Sequence, residues 1–347
     1  RTQCAQSLHL PLSAPSSTSW SRRSDRPSAQ DQEHRHHHIK TRNLNSKGDA
    51  ISARVPLFFN SDVILSKAIV DDSMEYLYRN GHHDECLFVH GGKGTLRTNF
   101  GSLLLSQGDY AIIPRGVIWQ LDVKESLELL IAETVGPIQT PDRYRNELGQ
   151  LLEHAPYSER DLRTPILESP ISGGPIQVKV RLIQGIQSYE YQHHPFDVVG
   201  WDGYFYPWVF NVNDFMPITG KVHQPPPVHQ VFEAPGLVIC NFVPRLFDYH
   251  PEAVPAPYAH SNVDSDEILY YVSGDFMSRK GMEAGSITYH PAGLPHGPQP
   301  GKIEASLDLN EANEIAVMID TFKPLKITTN VIEIDDSHYP LSWLDNS

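Results

Sequence analysis

His260-Ser261-Asn262-Val263-Asp264-Ser265-Asp266-Glu267, read on to Gly274 and then across Gly285-Ser286-Ile287-Thr288-Tyr289-His290-Pro291-Ala292-Gly293-Leu294-Pro295-His296, is the stretch that decides the fold. Its apolar runs are short, Ile268–Val272 and Ser286–Tyr289, and each is closed by glycine or proline. Working outward, the same texture recurs at Cys86–His90, Leu103–Leu105, Tyr110–Ile113, Val117–Trp119, Ile176–Leu182, Trp208–Val212, Leu237–Val243 and Glu314–Asp320. Short strands at roughly ten-residue spacing, separated by turn residues, predict an antiparallel sandwich or barrel. Only Arg143 to His154 reads as helical, a connector. The expectation is an all-β chain of two barrels.

The opening stretch resembles the paired signature motifs of the cupin superfamily, whose small β-barrel carries metal ligands on facing strands. Side chains alternate faces along a strand, so few offsets bring ligands together inside a barrel. Pro291-Ala292-Gly293 sets a tight turn just before the last ligand. The reading gathers His260, Glu267 and His296 on one ion. Two imidazoles and one carboxylate leave coordination positions open and suit non-haem Fe(II) and O₂. Asn262 stands where the motif usually has a further histidine, which frees a position.

A second copy of the turn skeleton lies upstream. Glu85 leads to Gly92, and Gly108 leads to Pro114, Gly116 and Trp119. A tryptophan cannot ligate a metal, so this barrel is expected to be metal-free, with a weak site of His82, His83 and Glu85 as the alternative. The domain reading is a disordered, spurious or targeting extension over 1–50, an N-terminal barrel over 51–165 and a C-terminal metal-bearing barrel over 166–347. The extension rests on composition: the first thirty residues hold eight serines, four arginines and the single acid Asp25. The histidine run that follows, His34 and His36 to His38, lacks an evident scaffold.

Composition excludes other classes. With 28 basic and 42 acidic residues, the net charge is −14, the wrong sign for a nucleic-acid binder. No apolar run is long enough for a membrane-spanning helix. Cys4, Cys86 and Cys240 are too few and too scattered for a disulfide framework, which fits a reducing, cytoplasmic setting.

Longer strings carry a narrower resemblance. Thr95-Leu96-Arg97-Thr98-Asn99-Phe100-Gly101, Ile113-Pro114-Arg115-Gly116, Pro195–Gly203, Asn213-Asp214-Phe215-Met216, Pro257-Tyr258-Ala259-His260-Ser261-Asn262 and Pro295-His296-Gly297-Pro298 resemble the homogentisate 1,2-dioxygenase family. The resemblance implies an Fe(2+) enzyme that uses O₂ to open the ring of a small aromatic acid, homogentisate, giving maleylacetoacetate in tyrosine and phenylalanine catabolism. It also implies a homo-oligomer, trimer or hexamer. Carried over by position, His260, Glu267 and His296 are iron ligands, His223 and His290 are catalytic histidines, and Tyr258 lines the pocket. Arg279 is placed to pair with a substrate carboxylate.

Each role has an alternative. His223 precedes Gln224-Pro225-Pro226-Pro227 and reads equally as a loop residue, with His229 its competitor. His290 reads equally as a residue that orients a ligand, and Arg279 as a solvated side chain. Phe276 replaces a tyrosine found in several relatives, which leaves a related hydroquinone open. The other classes weighed are a zinc-dependent cupin isomerase and a non-catalytic bicupin.

Overall fold

The computed structural model describes residues 18–21, 29, 33–44, 47–222, 224, 226–276 and 278–344. Two large sheets, with a small two-stranded one of Arg245–Leu246 and Glu311–Ala312, are formed by the described residues. The first is a fourteen-stranded sheet whose centre is the antiparallel pair Asp84–Thr98 and Trp119–Thr134, flanked by Val63–Val70 and Asp109–Ile113. The second has six strands, in the order Gln230–Ala234, Leu237–Phe242, Glu314–Thr321, Asp266–Gly274, Ser286–His290 and His37–Lys40. The all-β expectation holds, and no helix among the described residues is long and apolar enough to cross a membrane.

Alternation along the strands sorts the side chains into layers. Cys86 and Phe88 of the first sheet join Ile268, Tyr270, Ile287, Tyr289, Val317 and Ile319 of the second in one apolar core between the sheets. The intervening residues Leu87 and Val89 turn the other way, into a separate core with Ala111, Ile113, Trp119, Leu129 and Ile131. By the same rule Glu267, His290 and Asp320 face away from the shared core, into the interior of the second unit.

The glycines of the repeated motif sit where no side chain fits. Gly92 (φ +88°) and Gly274 (φ +98°) are both left-handed, and a Cβ would come 2.0 Å from the Ser126 carbonyl oxygen and 1.9 Å from that of Asn313. At these points a long strand bends against its partner.

Three sequence expectations are corrected. The division at 165/166 falls inside the first unit. Ile176–Leu182 runs parallel to Leu77–Asn80, and Trp208–Asn211 pairs with Asp109–Ile113. Partner choice across a hundred residues leaves no periodic trace in the sequence. The extension over 1–50 is not wholly disordered, because His37–Lys40 is a buried edge strand of the second sheet and pairs with Ser286–His290. In return, Lys326–Ile327 pairs with Val55–Phe59 of the first sheet. The helical connector is absent. Residues 143–154 hold one 3-10 turn, Asp142–Tyr144, and a bridge between Arg145 and Leu151. The Asn146 side chain takes the amides of Leu148 and Gln150, both at 3.0 Å, and competes locally with a helix.

Candidate metal centre

Glu267 stands at the start of Asp266–Gly274, and the Pro291–Gly293 turn carries the chain from the neighbouring strand to His296. Asp266 fixes that turn: its carboxylate accepts from the Ala292 amide at 2.8 Å, the Leu325 amide at 2.7 Å and the Tyr289 hydroxyl at 2.8 Å. Beyond the turn, His260 and His296 form a reciprocal backbone pair, with N–H···O distances of 2.8 and 2.7 Å. Two loops that end in histidine are thereby held side by side.

Both histidines are set by their own loops. His260 Nδ1 lies 3.1 Å from the Tyr258 carbonyl and His296 Nδ1 lies 3.1 Å from the Leu294 carbonyl. A carbonyl can only accept, so each Nδ1 carries the proton and each Nε2 presents a lone pair. His296 Nε2 is buried without a hydrogen-bond partner. It lies 3.5 Å from Glu267 Oε1. Ligand atoms of His260, Glu267 and His296 all lie within 4.8 Å of one another. An orphaned buried nitrogen, a second fixed imidazole and a carboxylate converging on one point fit a divalent cation of the Fe(II) or Zn(II) type.

His290 stacks on His296, with centroids 4.4 Å apart, and its Nδ1 lies 2.7 Å from Glu267 Oε1. Burial holds the His290 pKa at about 3, so the neutral ring donates to the carboxylate. Burial alone would raise Glu267, but the hydrogen bond from His290 holds it well below the ordinary carboxylate range. Asn262 Nδ2 donates to Glu267 Oε2 at 3.3 Å. Opposite His290, the in-register partner of Glu267 is Asp320, raised to about 7 by burial and then by the Glu267 charge. Asp320 Oδ1 is buried without a partner.

The other predicted residues are dispersed. Tyr258 is 58% exposed at the rim, its ring edge-on to His260. Arg279 is buried rather than solvated. Its guanidinium donates to the Gly297 and Ser278 carbonyls and lies over Trp343, 5.5 Å from the ring centroid. Phe276 packs on Tyr271. It joins Arg279, Lys302 and Leu309 in lining a cavity of about 370 Å³ that none of the three candidate ligands lines. His223 lies outside the described residues, and its competitor His229 packs on Phe242.

Sequence reasoning missed Asp320, Tyr339, Trp343 and His36. Tyr339 Oη is 3.4 Å from His290 Nε2, and the His36 ring lies 5.5 Å from that of His290. His36 belongs to the histidine run of the N-terminal extension. The available signal was the alternation of His36 and His38 about an inward face.

In the first unit, Glu85 occupies the place of Glu267. Arg54 Nη1 donates to Glu85 Oε1 at 2.6 Å and Trp119 Nε1 to Oε2 at 3.2 Å, while Arg181 Nε pairs with Glu133 at 2.8 Å. A guanidinium supplies the positive charge that a cation would bring. The His82 and His83 amides are tied to Asn80 Oδ1 in the preceding turn.

Paired β-units, with a two-histidine, one-carboxylate cluster inside one of them, define an all-β protein with a candidate metal centre. A model of the homogentisate 1,2-dioxygenase N-terminal region matches residues 59–212. A protein of Saccharolobus solfataricus, which carries the provisional name of a dioxygenase with no substrate in it, is 45% identical over 90% of this chain and 82% of its own. The homogentisate 1,2-dioxygenase of Legionella pneumophila (strain Corby) is 30% identical over 72% of this chain, which spans 62% of that enzyme's length. A cupin 2 conserved barrel domain protein from Leptotrichia buccalis superposes over 82% of this chain and 96% of its own at a TM-score of 0.40 and 12% identity, too loosely to bear on the site. The chain belongs to the homogentisate 1,2-dioxygenase family.

Proposed function

We propose that this chain is an Fe(II)-dependent dioxygenase that opens the ring of homogentisate with O₂ to give maleylacetoacetate. The observation that carries the reading is the tautomer pattern of His260 and His296, two lone pairs fixed beside an ionised, buried Glu267. These three groups would hold the iron, which would supply Lewis acidity and open positions for the phenol and O₂. The chain's own residues do the rest. His290, neutral and hydrogen-bonded to Glu267, orients that ligand and keeps it charged. Asp266 holds the turn that delivers His296, so the ligands are in place before substrate arrives.

In this proposal Arg279 balances the substrate carboxylate from within the wall, Tyr258 lies at the entrance, and His223 is an acid/base group. Homo-oligomeric assembly, trimer or hexamer, and a cytoplasmic setting belong to the same proposal. A second reading, a related hydroxylated aromatic acid as substrate, is favoured by Phe276, whose apolar ring cannot offer a hydroxyl to the bound molecule.

Anaerobic reconstitution with Fe(II), then homogentisate, then air tests the reading through O₂ uptake and product absorbance. Stoichiometric, iron-dependent ring opening supports it. Consumption of another hydroquinone alone moves the assignment to the second reading. Zinc retention without O₂ uptake overturns both in favour of an isomerase. Failure to bind any metal leaves a non-catalytic bicupin.

A further inference from the structure

We infer that His36, brought in by the N-terminal edge strand, contacts the substrate directly: its Nε2 accepts a hydrogen bond from a hydroxyl of the bound molecule. The identity of that molecule rests on the ring-opening reading above. The contact itself is argued from the strand register.

His37 pairs with Tyr289 and His38 with Thr288. One step further along the same ladder, His36 comes opposite His290. In antiparallel strands, opposed residues share a face. His36 is therefore directed to the side where His290 and the ligands lie, while His37 points to the other face and stacks on Tyr289. The ring geometry agrees. His36 is edge-on to His290 at 5.5 Å and to His296 at 6.4 Å, and lies 4.9 Å from Trp343.

The position is held from both sides. Arg35 Nη2 donates to Asp335 Oδ2 at 2.6 Å, and His37 Nδ1 lies 2.8 Å from the same oxygen. Such bracketing is more than an idle tail requires. The ring has one bond, to the backbone carbonyl of Pro295. A carbonyl takes the ring proton and leaves the other nitrogen with a lone pair. His36 Nε2 is buried and has no partner.

A buried lone pair without a donor is costly unless a ligand supplies one. His36 lies outside the three groups whose ligand atoms converge within 4.8 Å, so its missing donor is assigned to the bound molecule. Edge-on imidazoles and the Trp343 face suit a flat aromatic ring. The ligand class is thus a phenol, with one hydroxyl directed to His36.

The test compares wild type, His36→Leu and His36→Gln, each loaded anaerobically with Fe(II), by calorimetric binding without O₂. The probes are homogentisate, 2-hydroxyphenylacetate and 3-hydroxyphenylacetate, so that one hydroxyl or the other is absent or displaced. In His36→Leu, homogentisate should weaken roughly tenfold, while the probe lacking the contacted hydroxyl keeps its wild-type affinity. His36→Gln, whose amide oxygen accepts, should recover homogentisate to within about threefold. Iron content and melting temperature should match wild type in both variants. Equal weakening of all three probes overturns the assignment, as does unchanged binding or loss of iron with a lowered melting temperature. If wild type binds none of the three, the ring-opening reading has failed instead, and this assignment falls with it.

Discussion

The two barrels place the same acid pair at the same address and neutralise it differently. Glu85 is flanked in register by Ile113 and Glu133, and Glu267 by His290 and Asp320. In the first, Arg54 and Arg181 thread between the carboxylates and Trp119 closes the pocket. In the second, Glu267 meets the neutral imidazole of His290 at 2.7 Å and His296 Nε2 at 3.5 Å. Buried carboxylates need positive charge nearby. One unit carries it covalently in its own side chains. On the reading proposed here, the other leaves the place for an ion. The last position of the motif differs accordingly, Trp119 in the first unit and His296 in the second.

The largest effect should come from breaking the second member of the pair. His296→Ala should remove bound iron and lower turnover at least about a thousandfold, with the far-ultraviolet spectrum unchanged; metal analysis and O₂ uptake check it. Retention of stoichiometric iron would sink the ligand assignment. The mirror experiment is Arg54→Met, which strands Glu85 without its counter-charge and leaves Glu133 to Arg181 alone. It should cost about 3–5 kcal/mol in urea unfolding and leave iron stoichiometry near wild type. Loss of iron without loss of stability would reverse the roles assigned to the two units.

Asp320 sharpens the contrast through pH. Its folded pKa of about 7 lies above its ordinary 3.8, owing to burial and then Glu267. The folded chain therefore holds a proton that the unfolded chain releases, and this contribution to stability falls as pH rises from about 4 to about 7. In the metal-free protein, Asp320→Asn should abolish that part of the decline, read as a flatter melting temperature between pH 5 and pH 8. Iron should flatten the wild-type curve in the same way, since a cation favours the carboxylate. The smallest effect is expected from Asp335→Asn, which loosens Arg35 and His37 at the edge strand. It should cost about 1–3 kcal/mol and raise amide exchange over residues 37–40, without changing the first sheet.

Much of this was legible in the sequence because barrels are periodic. Strand alternation, the glycines at Gly92 and Gly274 and the offset from Glu267 to His296 are local signals, and they place the sheets and gather the three candidate ligands. The rest depends on distant partners. No pattern at Ile176–Leu182 announces its pairing with Leu77–Asn80, and nothing near Arg54 shows that it will meet Glu85. Asp320 reads as an ordinary strand acid until its register opposite Glu267 is known. The segment at 143–154 misled for the opposite reason, since its apolar spacing is helical but Asn146 bonds its own neighbours.

The edge strand sets a condition on biogenesis. His38 reaches Ser286 across 248 residues of sequence. During synthesis, the N-terminal segment must therefore wait while nearly the whole of the first unit is built and most of the second has left the ribosome. Loops of this span close slowly, and until they close the strand Ser286–His290 has one open edge, able to pair with another chain. That exposure ends only with the arrival of the four residues His37–Lys40.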